Sequence, residues 1–455
     1  MGQSSKVIFT SLMTAFLLAG SVAFAAEKKE RISDKDVVDA YAYYLGRLLV
    51  LRQEHLDFRD EGFRWNKIIH RPVGGVKWAN PNLDVAYSEA WVGIDKNSCT
   101  MLEVPKITGR YYTIQVLNGW GETTSNINER TFPRHASGKF AYCLKDSTVA
   151  LGPDVEKVIL PSAKSRILAR VELGADPSQA VALQKQIKLY SIGTPVIAKP
   201  VAIQIFTNKN LPGITAFDNA SAVLASEADI NPGMEELQAK VRSIQNAAKG
   251  SERTRLNEVI RTRAIPDFGA HFLKLGRAGN GWHHPTVVGN YGSDYRARSA
   301  VNLGGIWANN SKEAVYFKTN TDGQGIELNG SNVYTMTFPK DRQPQSLVRY
   351  FWSVIVVDAE KFQVVPNSLQ RYNLNNQSGL KTNADGSLTV IFANKLPSGY
   401  PQSNWLPTPA GKNYHLTMRF YGPTAELESG RYFPPPLVKV GGSLAKAESS
   451  STVLK

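Results

Sequence analysis

Two hydrophobic periodicities divide the chain, one typical of helices and one typical of strands. The first helical pattern lies in "SDKDVVDAYAYYLGRLLVLRQEHLD", where apolar residues recur on one face at Val37, Tyr41, Leu45 and Leu48. Ser33, with an acidic residue three positions later, is typical of the residue that caps a helix. This pattern predicts an opening helix that packs one face on a sheet.

Strand patterns begin near residue 76, fill the region up to residue 144 and return after residue 295. The first region alternates with period two and continues into "VEKVIL" and "SRILARVEL". Between the two strand regions, residues 217–280 show a helical period after a Pro-punctuated connection at 192–216. The later strands are short and separated by Gly and Asn turns, which is typical of sandwiches and jelly rolls.

These patterns predict a mainly β fold with a helical insert, built from two β-sandwich domains of which the second is jelly-roll-like. A chain of 455 residues is too long for one compact core, so we expect several segments in chain order. They are a signal peptide at 1–25, an N-terminal β-rich domain with the opening helix at 26–215, a helical connection at 216–290, the jelly-roll-like domain at 291–440 and a disordered tail at 441–455.

The N-terminal segment indicates export. Lys6 precedes the apolar run "VIFTSLMTAFLLAG", and "AFA" at Ala23–Ala25 fits the small-residue rule for cleavage before Ala26. An uncleaved N-terminal anchor is the alternative interpretation. No later apolar run is long enough to span a bilayer. We therefore expect a soluble periplasmic or secreted protein with no membrane span after cleavage.

The cysteines and the net charge refine this picture. Cys99 and Cys143 are the two cysteines of the chain, and an oxidising compartment favours a disulfide between them, with two free buried thiols as the alternative.

The formal net charge is +14, but the Lys and Arg residues are scattered rather than clustered. Scattered basic residues on an exported chain argue against nucleic-acid binding.

The strand "VAYSEAWVGI" raises the main functional question. One face carries small residues, whereas Tyr87, Glu89 and Trp91 share the other face, next to the polar turn Asn80–Asp84. That face either lines a pocket or forms the solvated side of an antiparallel sheet. Asp84 either acts as a base with a pKa raised by the nearby rings or caps the turn through backbone amides. The sequence leaves both choices open.

Other candidate residues lie close to aromatic side chains. Arg110 opens the strand "RYYTIQ", where it either pairs with Asp84 or Glu89 across the sheet or binds an anion. Trp120 and Glu122 follow that strand into a polar loop, a common place for ligand contacts. Trp405 either packs under the second sandwich or stacks on a sugar or aromatic ligand.

The usual sequence signatures of enzymes are missing. The chain has no Gly-x-Ser-x-Gly elbow, no His-Glu-x-x-His, no Cys-x-x-Cys, no Walker loop and no dinucleotide fingerprint. Its seven histidines show no metal-ligand spacing. The sequence therefore predicts neither a metal site nor a cofactor.

Several stretches of the chain resemble known families, in the same order. "PNLDVAYSEAWV", "LEVP" and "RYYTIQVLNGW" resemble the N-terminal module of bacterial exported proteins of the domain-of-unknown-function family 1254. "NLGGIWANN", "FWSVIVVD", "NADGSLTV", "NWLPTP" and "RFYGP" are similar to its usual C-terminal partner, family 1214. The resemblance covers residues 33–440 and implies two β-rich domains without a known activity. Among the candidates, the family pattern matches Asn82, Asp84, Tyr87, Trp91, Arg110, Tyr111 and Trp405.

Three functions remain open at this point. The first is a hydrolase-type enzyme that acts on a small polar or aromatic compound in the N-terminal domain. Its predicted catalytic residues are Asp84, Tyr87, Glu89 and Arg110, and its predicted ligand-binding residues are Asn82, Trp91, Tyr111, Trp120, Glu122 and Trp405. The second is a non-catalytic module of the cell envelope that binds a small molecule, a glycan or a partner. The third is a structural role in which these residues cap turns and fill cores.

Overall fold

The computed structural model describes residues 1–2, 31–74 and 80–441 of the chain. The predicted signal segment beyond its first two residues and the predicted tail beyond Gly441 lie outside the described residues. The described parts contain four sheets of mostly antiparallel strands, with most of the helices between the two strand regions in chain order, so the predicted mainly β fold with a helical insert is confirmed.

The N-terminal region begins with a long helix. Helix α1 spans Asp34–Asp60, and the side chain of Ser33 accepts a hydrogen bond from the backbone N–H of Asp36, as predicted. The elements that follow in chain order are β1 (Ile69–His70), β2 (Val85–Gly93), β3 (Cys99–Val104), β4 (Tyr112–Leu117), β5 (Thr123–Ile127), β6 (Gly138–Cys143), β7 (Val155–Ile159), β8 (Lys164–Glu172), α2 (Pro177–Gln186) and β9 (Lys188–Ile192).

These strands form two sheets that enclose one core. The first sheet has the order β1-β2-β8-β4-β5, and the second has the order β7-β6-β3-β9. The small residues of β2, among them Ala86 and Ala90, pack in this core with residues of the second sheet such as Leu102 and Tyr142. On the second sheet, a disulfide joins Cys99 of β3 to Cys143 of β6, so the expected pairing is confirmed.

A helical region follows the first two sheets. Its elements are α3 (Ala220–Ala225), α4 (Glu235–Ala247), α5 (Gly250–Val259), α6 (Ile265–Leu273), β10 (Arg277–Gly279), β11 (Trp282–His284) and α7 (Tyr295–Gly305). Helix α1 shares a core with this region, where Tyr41 and Leu45 pack with Phe217 and Val241. Val50 of α1 packs instead against the first sheet. Helix α1 is therefore buried on two sides, whereas its sequence pattern predicted one buried face.

The C-terminal region forms two further sheets. Its elements are β12 (Ala314–Thr319), β13 (Tyr334–Phe338), β14 (Val348–Asp358), β15 (Asn373–Asn375), β16 (Leu388–Ala393), β17 (Trp405–Pro407), β18 (Tyr414–Pro423), α8 (Ala425–Glu428) and β19 (Val438–Lys439). The sheet orders are β10-β11-β12-β18-β14-β15 and β17-β16-β13-β19, and their facing side chains share one core. The predicted segment bounds stay predictions. No helix in the described parts of the chain has the length and apolar character needed to cross a membrane.

Loss of the disulfide is expected to destabilise the N-terminal region. The two cysteines are 44 residues apart, and closing a loop of that length in the unfolded chain corresponds to about 4 kcal/mol in the chain-entropy model. We expect the double variant Cys99→Ser, Cys143→Ser to lose stability of this order in urea denaturation. The wild-type protein in reductant should behave in the same way. An unchanged midpoint in both cases would contradict this expectation.

Candidate functional site

The second face of β2 meets the C-terminal region. We call the layer in which β2 and β8 face β12, β14 and β18 the seam. In the seam, Tyr87 and Trp91 pack in one cluster with Phe351 and Tyr421. All nine residues of β2 are buried, because the first core covers one face and the C-terminal region covers the other. The solvated face considered for this strand is therefore wrong.

At one end of the seam, Glu89 lies in a closed ion-pair cluster. Its carboxylate accepts hydrogen bonds from Arg166 and, at 2.9 Å, from Nε of Arg71. Arg166 also lies 3.4 Å from Asp57, which accepts a hydrogen bond from the indole of Trp91 at 2.9 Å. Burial raises the pKa of Asp57, and the Arg166 charge opposes this effect. Arg71 also pairs with Glu61 at 3.0 Å, so three acids and two arginines meet here, and the side chain of Glu89 is fully buried.

At the start of β2, Asp84 connects the two β-rich regions. Its Oδ1 accepts hydrogen bonds from the side-chain amides of Asn373 at 2.6 Å and Asn375 at 2.7 Å, both in β15. The turn itself is capped by Asn82, whose Oδ1 accepts from the backbone N–H of Asp84 at 2.9 Å. The capping role considered for Asp84 therefore belongs to Asn82. Burial raises the pKa of Asp84, although the amides and the nearby Arg419 favour its charged form.

A small polar cleft opens beside Asp84, with a volume of about 140 Å³. Its lining residues come from both β-rich regions: Leu83, Asp84, Glu172, Leu173, Gly174, Pro177, Phe351, Asn373, Asn375, Asn376 and Gln377. Glu172 lies at the end of β8, and its Oε2 accepts a hydrogen bond from the backbone N–H of Tyr111 at 2.7 Å. Burial raises the pKa of Glu172, and the neighbouring Asp84 charge adds to this effect. The cleft therefore brings together two carboxylates that are both harder to ionise than usual.

Sequence reasoning missed Glu172 and the amides of β15. Glu172 stands opposite Val85 in the β2–β8 pairing, next to the predicted Asp84. The alternation of "SRILARVEL" placed Glu172 on a strand but gave no partner strand. Asn373 and Asn375 come from a distant part of the chain, and a three-residue strand carries almost no periodicity.

Arg110 lies next to the cleft and pairs with neither acid considered for it. Its Nη1 donates to the carbonyl of Glu172 at 3.0 Å and to that of Leu173 at 3.4 Å, and its Nη2 donates to Gln179 at 3.0 Å. These contacts fix the chain segment that forms one wall of the cleft. Arg110 is partly exposed, which leaves it close to any ligand that enters.

Tyr87 lies deeper in the seam. It stands opposite Arg170 in the β2–β8 pairing, and the guanidinium carbon of Arg170 lies 5.7 Å from the centre of its ring. Burial raises the pKa of Tyr87, and Arg170 and Arg419 oppose this effect. Tyr87 is therefore near two cations rather than beside the carboxylates of the cleft.

Two predicted ligand-binding residues also hold the seam together. The side-chain amide of Asn82 donates to the hydroxyl of Tyr421 at 2.6 Å. The hydroxyl of Tyr111 donates to Glu313 at 3.0 Å, and Arg130 donates to the same carboxylate at 2.6 Å. Asn82 and Tyr111 thus have partners in the C-terminal region.

The remaining predicted ligand-binding residues lie away from the cleft. Trp120 is fully buried, with the guanidinium of Arg298 in α7 lying 4.3 Å from the centre of its ring. Glu122 is also buried and accepts a hydrogen bond from Asn231 at 2.6 Å. Trp405 is half-buried in the C-terminal region, and its indole donates to the carbonyl of Ala393 at 2.8 Å. Packing therefore accounts for these three side chains.

Metal ligands are sparse in the described parts of the chain. Those parts contain no group of three or more His, Cys, Asp or Glu side chains arranged to hold a metal ion. The polar side chains that line the cleft are the carboxylates of Asp84 and Glu172 and the amides of Asn373, Asn375, Asn376 and Gln377.

Breaking the Glu89 cluster should destabilise the protein. In the Arg166→Met variant, Asp57 loses its arginine and Glu89 keeps only Arg71, so buried negative charge is left over. Loss of one partner from a buried ion pair costs about 3–5 kcal/mol, and we expect a decrease of this size in urea denaturation. The control is Arg59→Met, which removes an exposed pair with Asp60 and should leave stability nearly unchanged. Similar small effects of both substitutions would contradict the closed cluster.

The raised pKa values of Asp84 and Glu172 predict a pH dependence of stability. The folded protein holds these protons more tightly than the unfolded chain does. Their stabilising contribution is therefore complete below their ordinary pKa values, about 4, and is lost as the pH rises through the raised values. We expect Asp84→Asn to flatten the fall in unfolding free energy as the pH rises above about 4. Asp146→Asn, an exposed control, should follow the wild type, and identical slopes for all three proteins would contradict the assignment.

Comparisons with known proteins agree with this two-part architecture. Residues 65–191 match the family described as protein of unknown function (DUF1254), and residues 313–425 match the family described as protein of unknown function (DUF1214). No curated protein matches the chain. Asp84 and Glu172 lie in the first matched region and Asn373 and Asn375 in the second, so the cleft forms where the two regions meet.

A solved structure shows the same fold. The chain is similar to the VPA0106 protein from Vibrio parahaemolyticus, with 20% identity and a TM-score of 0.65 over 89% of this chain and 99% of that chain. It also matches a putative uncharacterized protein from Burkholderia cenocepacia, with 14% identity and a TM-score of 0.44 over 88% of each chain. The two matched regions confirm the resemblance predicted from the sequence, a DUF1254 region followed by a DUF1214 region.

Proposed function

We propose that the protein binds a small polar ligand in the cleft beside Asp84. The observation that carries this proposal is the convergence of two carboxylates and several side-chain amides on one opening between the two β-rich regions. Ligand sites commonly form where domains meet and use a few converging polar groups to orient the ligand. The cleft is smaller than the ~300 Å³ at which sites for drug-sized ligands begin, so the ligand is a small molecule.

The unpaired groups of the cleft indicate the chemistry of this ligand. Oδ2 of Asp84 and Oδ1 of Asn376 are buried without hydrogen-bond partners. The hydroxyl of Ser353 lies close enough to Asp84 to favour its charged form, but it does not reach normal hydrogen-bond geometry. A buried acceptor without a donor costs about 1–3 kcal/mol, which a ligand donor would recover. The ligand class that fits is therefore rich in O–H or N–H donors, such as a polyol or an amine.

Hydrolysis of an ester or glycoside of such a compound, in which water cleaves the bond to the polyol oxygen, is the second candidate function. The specific observation in its favour is the pair Asp84 and Glu172, in which each pKa is raised and the charge of one raises that of the other. A pair of this kind can hold one protonated acid beside one ionised base. Arg110, next to the cleft, would stabilise developing negative charge. In this proposal Glu172 takes the role that the sequence assigned to Glu89.

The proposed setting is the periplasm or the cell exterior. The apolar N-terminal run and the Ala23–Ala25 cleavage pattern support export of the chain. The disulfide between Cys99 and Cys143 is compatible with an oxidising compartment. A ligand of this protein would then be a compound that reaches the cell envelope.

The test uses isosteric variants of both carboxylates. Glucitol, glycerol, ethanolamine and putrescine serve as donor-rich probes, and binding is measured by isothermal titration calorimetry. We expect Asp84→Asn and Glu172→Gln each to weaken binding of the best probe about tenfold or more, because each removes an acceptor with full charge. Both variants keep an oxygen for their amide or backbone donors, so the melting temperature should change little.

Matched controls separate the cleft from general charge effects. Asp146→Asn and Glu156→Gln remove exposed carboxylates elsewhere and should bind the probe like the wild type. If no probe binds the wild type, or if the controls weaken binding as much as the cleft variants, the proposal fails. Turnover of an ester or glycoside of the best probe that disappears in Glu172→Gln would favour hydrolysis over binding alone.

A further inference from the structure

We infer that the seam contains a second site, which binds an anionic group beside Arg170, Lys318 and Arg419. Two Tyr–Arg pairs face each other there, one on each side of the seam. Tyr87 stands opposite Arg170 in the β2–β8 pairing, and Tyr316 stands opposite Arg419 in the β12–β18 pairing. The site is distinct from the cleft, because basic residues predominate in it.

The two Tyr–Arg pairs are close to one another. The charges of both Arg170 and Arg419 act on the hydroxyl of Tyr87, and so does the hydroxyl of Tyr316. The hydroxyls of Tyr87 and Tyr316 and the charges of the two arginines also act on the hydroxyl of Tyr421. Tyr421 is the next residue of β18 on this face. The hydroxyls and the two guanidinium groups therefore surround a common part of the seam.

Arg170 is buried with neutral partners. Its Nη1 donates to the side-chain oxygen of Gln115 at 2.6 Å, and its Nη2 donates to the carbonyl of Trp307 at 3.2 Å. Neither partner carries a negative charge. A buried charge without a counter-charge is unfavourable, and here the cost is reduced only by dipoles.

Arg419 also lacks a carboxylate within hydrogen-bond distance among the described residues. Its Nη2 donates to the carbonyl of Asn80, and its Nη1 is buried with no hydrogen-bond partner. Asp84 is near enough for Arg419 to favour its charged form, but the hydrogen bonds of Asp84 go to the amides of β15. Arg419 is 3% exposed, so its free N–H group can be satisfied only from within the seam.

Lys318 is the third basic residue of this site. It stands opposite Thr417 in the β12–β18 pairing, on the same face as Arg419 and Tyr316, and it keeps an exposed side chain. Among the described residues it forms no hydrogen bond or ion pair. Desolvation of its ammonium group by neighbouring atoms and, to a lesser extent, the Arg419 charge lower its pKa to about 8.

Three basic side chains and several phenol hydroxyls therefore share one region with too little negative charge. An anionic group would satisfy the free Nη1 of Arg419 and neutralise part of the excess charge. Guanidinium groups favour carboxylates and phosphates, whose oxygens accept two parallel hydrogen bonds. The ligand class that fits is a small molecule with a carboxylate or phosphate group.

The experiment measures protection of Lys318 in the wild-type protein. The protein is treated with a limiting amount of acetic anhydride with and without inorganic phosphate or benzoate, and acetylation of each lysine is quantified by peptide mass spectrometry. We expect one of the two anions to slow acetylation of Lys318 severalfold. Lys312, an exposed lysine just before β12, is the internal control and should react at the same rate throughout.

Calorimetric titration with the protecting anion supplies the second measurement. Lys318→Gln and Arg419→Gln should each weaken binding about tenfold or more, whereas Lys312→Gln should not change it. If Lys318 and Lys312 are protected equally or not at all, the site does not exist. The protection experiment requires no variant and stays decisive if Arg419→Gln fails to fold. Asp84→Asn should retain anion binding, so failure of the proposed cleft function and failure of this site are distinguishable.

Discussion

Polar and charged side chains that are buried between two β-rich regions must find their partners across the boundary. Glu313, from the C-terminal region, accepts hydrogen bonds from Tyr111, Asn128 and Arg130 of the N-terminal region. Asp84 in turn depends on amides of β15. Because an unpaired buried polar group is costly, each region stabilises the other by pairing groups that its own fold leaves open. The relative position of the two regions is thus fixed by specific hydrogen bonds as well as by packing of aromatic rings.

The balance of charge changes along the seam, and this variation separates structural from functional parts. Around Glu89, acids and arginines pair directly with one another, although Nε and Nη1 of Arg166 are buried without hydrogen-bond partners. Around Asp84 and Glu172 negative charge is in excess, and around Arg419 and Lys318 positive charge is in excess. Both proposals follow from these imbalances, since a ligand of opposite charge or donor character would stabilise each place.

The sequence predicted those features that depend on neighbouring residues. The cap at Ser33 and the alternation of β2 were visible because each needs only a few consecutive positions. The sequence did not show which distant segments cover a given strand or loop in the folded protein. Trp120 and Glu122 look like members of an exposed polar loop, but residues from the helical region, among them Arg298 and Asn231, bury them. Likewise, Glu89 resembled a base beside aromatic rings until Arg166, on the paired strand, was found to neutralise it.

Helix α1 has a consequence for how the chain acquires its fold. It comes first in the described region, yet its core is completed by Phe217, Val241 and Ala300, which follow much later. Contacts between such distant positions form slowly, because the intervening chain must first be ordered. A nascent chain therefore presents Tyr41, Leu45 and their neighbours as an uncovered apolar surface. Until α7 has been synthesised and has packed on α1, other molecules such as chaperones have to protect that surface from aggregation.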